Sequence, residues 1–410
     1  MQGEIEVAGS KNAALPIMAA SILANSSVRL RRVPRVDDVD TLCQVLAELG
    51  IDVSRDDEGE MLLETVDREP VRASYELVSR MRASFCVLGP LLARRKKAVV
   101  ALPGGCNIGD RPVDMHLRGL SALGAQVKLE SGYIVAEADR LRGAKVDLGG
   151  SRGPTVTGTA NVLSAAVLAK GTTTIIGAAV EPEIVDLGNL LNQCGAKIEG
   201  LGQSIVQIHG VRQLQGADYE IIPDRIEAAT LLIAAAITGG FVTVKNVRPE
   251  HLERVFVELA EAGMEIEKGP DWVSLRAEDR PHPINTTARP YPGMPTDVQP
   301  QLTALLSIAR GQSTVTDRVF PNRFMHLAEL NRLGASIERG NGAAAIDGAR
   351  RLTGATVEAS DLRGAAALVI AALAAEGETV VRNAEHLDRG YERLDEKLNR
   401  LGAKIQRCRQ

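Results

Sequence analysis

Six stretches of the chain are apolar at nearly every position: NAALPIMAASILA, ASFCVLGPLLA, ANVLSAAVLA, EAATLLIAAAI, VQPQLTALLSIA and GAAALVIAALA. A helix that is apolar all round has no face to offer water, so the pattern predicts six buried helices. Each is followed by a short run that reads as a strand (SVRLRRV, KAVVAL, TTTIIG, FVTVKNV, QSTVTD, ETVVRN). Then comes a segment with a single apolar stripe, such as DVDTLCQVLAEL or YERLDEKLNRL. The striped segments predict outer helices that end at Gly50, Gly124, Gly195, Gly263, Gly334 and Gly402, residues suited to the left-handed position after a helix end. Alternating segments such as AKIEG and SIVQIHG come next and read as further strands.

The glycines are 74, 71, 68, 71 and 68 residues apart, so the chain is six repeats of helix, strand, helix, strand, strand. Six such units exceed one core, and three in each of two α/β domains is the natural partition. The expected boundaries are residues 11–222 for one domain and 1–10 plus 223–410 for the other, with the break at ADYEIIPDRIE. The opening QGEIEVAG has no unit of its own and is expected to pair with strands of the last unit, which would carry the chain between the domains twice.

Measured from the start of the buried helix to the glycine, five units span 37 to 39 residues and the second spans 42, from Arg82 to Gly124. The excess lies in LPGGCNIGDRPVD, an insertion on a regular scaffold, and such loops more often carry function. Pro112 is expected to start the helix after it. Cys106 in this loop sits among glycines near Arg111, which can lower a thiol pKa. Cys43, Cys86 and Cys194 read as core or helix-end residues.

Cations recur at equivalent places: Lys11, Arg82 and Arg363 at buried-helix starts, and Arg111, Arg323 and Arg389 in the loops before outer helices. Basic residues do not favour a helix N-terminus, so an anionic ligand is the simplest reason for them. Three come from each half, which suggests a ligand held between two domains that close on it. Asp297 in PTDVQ reads equally as a helix N-cap or as a base.

Composition narrows the partners. The formal net charge is −4 and aromatics make up 3% of residues, which leaves little to attract or stack nucleic acid. No apolar run reaches the length of a membrane span, and no leader pattern opens the chain, so a cytoplasmic protein is expected. Five cysteines without a CxxC pair and six scattered histidines suggest neither a disulfide framework nor a bound metal. No cofactor is expected.

GSKNAALP, MRASFCVLGPLLA, LPGGCNIGDRPVDMH, PTDVQPQ, RVFPNRFMH and HLDRGYERL together resemble the enolpyruvyl transferase family, in order, from Met1 to Arg407. The resemblance implies two inverse α/β barrel domains with the active site in the cleft between them. It implies transfer of enolpyruvate from phosphoenolpyruvate to the 3′-hydroxyl of UDP-N-acetylglucosamine with release of phosphate, a step of peptidoglycan synthesis. Cys106 would be the general acid and can hold a covalent adduct of the donor. Lys11, Asn12, Arg111 and Arg389 would hold the donor, its phosphate and carboxylate above all, joined by Arg323 and Arg363, with Lys11 and Arg389 also catalytic and Lys11 assisting the proton delivery. Asp297 would take the sugar's 3′-hydroxyl proton, with Asn12 and Val319 placing the sugar. Arg82, Arg111, Pro112, Val113, Asp114, Met115, Thr155, Val156 and Thr157 would grip the nucleotide.

Two departures from the family pattern stand out. The chain begins about ten residues late, so a first strand of the C-terminal domain is expected to lie outside it or the start to lie upstream. GGSRGPTVTG carries about three residues more than some members. Two rival readings remain. A 3-phosphoshikimate 1-carboxyvinyltransferase shares the fold and the donor but lacks the cysteine loop. A non-catalytic sibling that binds the nucleotide sugar would be expected to lose Cys106, Asp297 or Lys11, and all three are present.

Overall fold

The computed structural model describes residues 1–56, 59–104 and 112–408. The chain divides into two compact units, one of residues 1–8 and 223–408, the other of residues 9–104 and 112–222. Each has its own apolar core.

The buried helices form where the apolar stretches lie. Lys11–Ala20, Leu88–Arg95 (entered through a 3-10 turn, Arg82–Val87) and Val156–Ala166 lie in the second unit. Arg225–Ile237, Gln299–Leu306 and Leu362–Ala374 lie in the first. Side chains of Ser10, Thr155, Asp224 and Asp361 cap four of them by accepting from backbone N–H groups of the first turn, which satisfies donors that burial would otherwise leave unpaired. The outer helices are Asp37–Glu48, Asp114–Ala122, Pro182–Gln193, Glu253–Glu261, His326–Arg332 and Leu394–Arg400. All six glycines after them have positive φ, where a side chain would be strained. The second outer helix starts at Asp114, two residues later than the Pro112 start expected.

Five units carry a four-stranded sheet. In each, the strand after the buried helix pairs antiparallel with the last strand of its unit, which pairs antiparallel with the strand after the glycine. The fourth strand was not expected. It is short, runs parallel to the first, and in three units comes from just before the buried helix: Arg72–Ala73, Lys145–Asp147 and Asn285–Ala288. In the other two it comes from a distant part of the chain. Asp218–Glu220 pairs with Val28–Arg31, and Gln2–Glu6 pairs with Phe241–Lys245. The opening strand therefore joins the fourth repeat, not the last, because the parallel edge vacant beside Phe241–Lys245 is the one it fills. These two sheets are thus each completed by a strand far in sequence from the one it pairs with.

The sixth repeat also departs from expectation. Among the described residues, Val380–Arg382 pairs only with the parallel strand Thr356–Glu358, and no strand follows Gly402. Ala403 and Ile405 keep the inward alternation, and Asn399 holds Ile405 by two side-chain bonds, as Asn192 holds Ile198 and Asn331 holds Ile337. The local geometry of a strand is present there, but not the ladder partner that would make it one.

Candidate functional site

The first unit gathers one cluster around Asp297. Gln301, one turn into the buried helix Gln299–Leu306, donates from Nε2 to the Asp297 carbonyl at 2.9 Å and contacts the Tyr391 hydroxyl at 3.0 Å. Val298 occupies the N-cap position of that helix, with no side-chain cap bond. The Asp297 side chain, just before it, accepts from two guanidinium groups: Arg323 Nη1 at 2.7 Å on Oδ1 and Arg363 Nη2 at 3.1 Å on Oδ2.

Both arginines are buried, at 4% and 1% exposure. Burial opposes their charge, but Asp297 and Asp361 around Arg323, and Tyr391, Asp297 and Asp224 around Arg363, outweigh it and raise both pKa values. Arg363 also lies over the Tyr391 ring, 5.0 Å from its centroid. Arg323 Nε and Arg363 Nε and Nη1 have no hydrogen-bond partner among the described residues. Buried N–H donors on cations are costly to leave unmatched, so the cluster has unused capacity for an anion.

Thr296 and Asp317 extend the cluster. Arg323 Nη1 reaches the Thr296 hydroxyl, which donates to Asp317 Oδ2 at 2.6 Å. Asp317 Oδ1 accepts from the backbone of Val319 and Phe320, which fixes the turn carrying Val319. Burial raises the Asp317 pKa despite these donors. His326 is buried against Phe324, and burial lowers its pKa to about 4, so the ring is neutral at pH 7. Arg389 ends the 3-10 segment Ala384–Arg389 and is half-buried.

The second unit gathers a different set. Lys11 is the first residue of its helix, and its Nζ lies 2.9 Å from Asp38 Oδ2, both side chains being buried. Asn12 beside it is half-buried. Lys11 and Arg363 thus both have a carboxylate of their own unit as partner, so their positions do not by themselves demand an anionic ligand. Asp38 was missed in the sequence. Its signal is a carboxylate on the apolar stripe of its helix, in step with Leu42, Val45 and Leu46.

Arg82 Nη2 donates to the Pro112 carbonyl at 3.3 Å, so it meets the residues that lead into the helix Asp114–Ala122. Asp114 is exposed, while Val113 and Met115 are half-buried. Thr155 uses its hydroxyl to cap the helix Val156–Ala166. Val156 is exposed, and Thr157 contacts His116. Arg82, residues 112–116 and Thr157 are therefore brought together. Cys106 and Arg111 lie outside the described residues. Of the other cysteines, Cys86 is buried, and burial pushes Cys43 and Cys194 up to about 11, which makes them poor nucleophiles. Among the described residues no His, Cys, Asp or Glu cluster suits a metal ion, and no helix is long and apolar enough to cross a membrane.

A family model described as EPSP synthase (3-phosphoshikimate 1-carboxyvinyltransferase) matches residues 1–398. A protein of Halorhodospira halophila named UDP-N-acetylglucosamine 1-carboxyvinyltransferase is 48% identical over 407 residues, covering 99% of this chain and 97% of its own. One of Akkermansia muciniphila with the same name is 49% identical over 410 residues, covering 99% and 96%. Among solved structures, the enolpyruvyl transferase NikO from Streptomyces tendae superposes with a TM-score of 0.90 at 26% identity, covering 98% of this chain and 95% of that one. An EPSP synthase from Acinetobacter baumannii gives 0.75 at 19%, covering 99% and 96%, a likeness of fold alone.

Proposed function

Since the chain belongs to the EPSP synthase family of enolpyruvyl transferases, we propose that it transfers enolpyruvate from phosphoenolpyruvate to the 3′-hydroxyl of UDP-N-acetylglucosamine, releasing phosphate. The observation that carries the acceptor is the full-length similarity to two relatives of that name. The cysteine loop LPGGCNIGDRPVD agrees with it. The reading includes a role in peptidoglycan synthesis and a cytoplasmic reaction.

The chemistry needs an acid for C3 of the donor and a base for the acceptor hydroxyl. In the addition, Cys106 gives its proton to C3, the sugar oxygen bonds to C2, and Asp297 takes the hydroxyl proton. In the elimination a proton passes from C3 back to the Cys106 thiolate, the bond from C2 to the phosphate oxygen breaks with its electron pair going to that oxygen, and phosphate departs. Lys11, Arg111 and Arg389 hold the donor's anionic groups.

The cluster around Asp297 supports the base assignment and adds a condition. With both carboxylate oxygens engaged by arginines, Asp297 accepts a proton more readily once the donor's anion occupies the unmatched N–H groups of Arg323 and Arg363 and shares their charge. Arrival of the donor would thus ready the base. Asn12 and Val319 place the sugar. Arg82, Arg111, Pro112, Val113, Asp114, Met115, Thr155, Val156 and Thr157 hold the nucleotide.

The test is phosphate release by purified protein given both substrates, with 3-phosphoshikimate as the competing acceptor. Release with the nucleotide sugar alone supports the reading. Release with 3-phosphoshikimate alone transfers the assignment to the rival, and no release from folded protein that binds both substrates favours the non-catalytic sibling.

A further inference from the structure

Two buried helices of the second unit are joined by an amide whose orientation the backbone dictates. Gly89 N–H donates to Asn161 Oδ1 at 2.7 Å, and Asn161 Nδ2 donates to the Phe85 carbonyl at 2.9 Å. A backbone N–H can only donate and a carbonyl can only accept, so the amide cannot be turned over. The approach is close: a Cβ on Gly89 would lie 2.1 Å from the Asn161 carbonyl oxygen.

That orientation sets the state of the next residue. Asn161 Nδ2 also lies 2.9 Å from His116 Nδ1. An amide nitrogen donates and does not accept, so Nδ1 is the acceptor, the ring proton is on Nε2, and the imidazole is neutral. Nε2 lies 3.2 Å from Thr157 Oγ1, and the ring N–H donates there. With an N–H directed at its oxygen, the Thr157 hydroxyl keeps its own hydrogen for an acceptor elsewhere. Asn161 is fully buried, His116 is 2% exposed and Thr157 is half-buried, so the chain of bonds runs from the interior outward with each direction set.

Packing alone does not call for such a chain. A buried amide and imidazole are costly to desolvate, and apolar side chains fill space without that cost. We propose that His116 and Asn161 are positioning residues that hold the Thr157 hydroxyl as a hydrogen-bond donor to the diphosphate of the nucleotide-sugar substrate. Phosphate oxygens only accept, so a hydroxyl fixed as a donor matches them. The proposal rests on the reading that the protein takes a nucleotide sugar, and adds how one contact is oriented.

Thr157→Val keeps the side-chain shape and removes the donor, whereas Thr157→Ser keeps the donor. Thr157→Val raises KM for UDP-N-acetylglucosamine about tenfold, far more than it alters kcat or KM for phosphoenolpyruvate, and Thr157→Ser recovers most of that loss. His116→Phe raises the same KM in the wild-type background and adds nothing in the Thr157→Val background, since it acts through the hydroxyl. Nitrogen NMR of the wild type at pH 7 finds His116 protonated on Nε2 and bare on Nδ1, a readout independent of how the variants fold. An unchanged KM in Thr157→Val, additive effects of the two variants, or the opposite tautomer overturns the proposal while leaving the proposed reaction intact. If the wild type releases no phosphate, that reaction fails on its own, and calorimetry with UDP decides the relay. Binding about tenfold weaker to Thr157→Val than to wild type upholds it, and equal binding or none overturns it.

Discussion

Lys11 and Asp38 form a buried ion pair, with Nζ 2.9 Å from Oδ2, that ties the start of one helix to the first turn of the next. Removing one charge of such a pair leaves the other desolvated, so Asp38→Asn is expected to cost about 3 kcal/mol of stability. It is also expected to raise KM for phosphoenolpyruvate, because Lys11 loses the anchor that aims it. Urea unfolding and steady-state kinetics check the two effects. A variant as stable as wild type with an unaltered KM contradicts the role.

This pair shows what the sequence conceals. The apolar stretches and the terminating glycines are local signals, and they located all the buried and outer helices. Strand pairing is not local. Nothing in QGEIEVAG says that its parallel neighbour is Phe241–Lys245, and Arg72–Ala73 and Asp218–Glu220 are too short to show alternation. Candidate site residues were legible where a charge stood at a repeat-equivalent position, as with Arg323 and Arg363. Asp38 and His116 were not, although each is a polar residue on an otherwise buried helix face. That signal marks burial with a partner but does not name the partner.

Asp297 between Arg323 and Arg363 gives a second prediction. Asp297→Asn keeps one accepting oxygen, turns an amide N–H toward the other arginine and cannot take a proton, so kcat is expected to fall by roughly 10² to 10⁴. Arg363→Lys offers fewer donors and is expected to raise KM for phosphoenolpyruvate. Steady-state kinetics with each substrate varied separates these. An Asp297→Asn enzyme with wild-type kcat removes Asp297 as the base.

The low pKa of His326 has a consequence for stability. The folded ring binds its proton only near pH 4 because of burial, whereas an unfolded histidine does so near about 6.5. As pH falls through that window the unfolded state takes up the proton first. Stability contributed by this residue is therefore complete above the window and lost within it, at up to about 1.4 kcal/mol per pH unit. Urea midpoints between pH 7 and pH 4.5 are expected to fall more steeply for wild type than for His326→Gln. Parallel profiles contradict the assignment.

Two glycines separate close approach from backbone conformation. A Cβ on Gly9 would lie 1.8 Å from the Arg32 carbonyl oxygen, whereas Gly124 has φ of +95° and open space around it. Gly9→Ala is expected to cost roughly 3 kcal/mol or more, because backbone must move, and Gly124→Ala about 1 kcal/mol from the left-handed conformation alone. Chemical denaturation of both variants checks the order, and equal losses contradict it.

Phosphate release from phosphoenolpyruvate by the purified wild type and by Cys106→Ala, with and without UDP-N-acetylglucosamine, tests the central claim most directly. The wild type is predicted to release phosphate in step with enolpyruvyl product only when the nucleotide sugar is present, and Cys106→Ala to bind both substrates with little or no turnover. Wild-type protein that is folded and binds both substrates without releasing phosphate would contradict the account, as would undiminished release by Cys106→Ala.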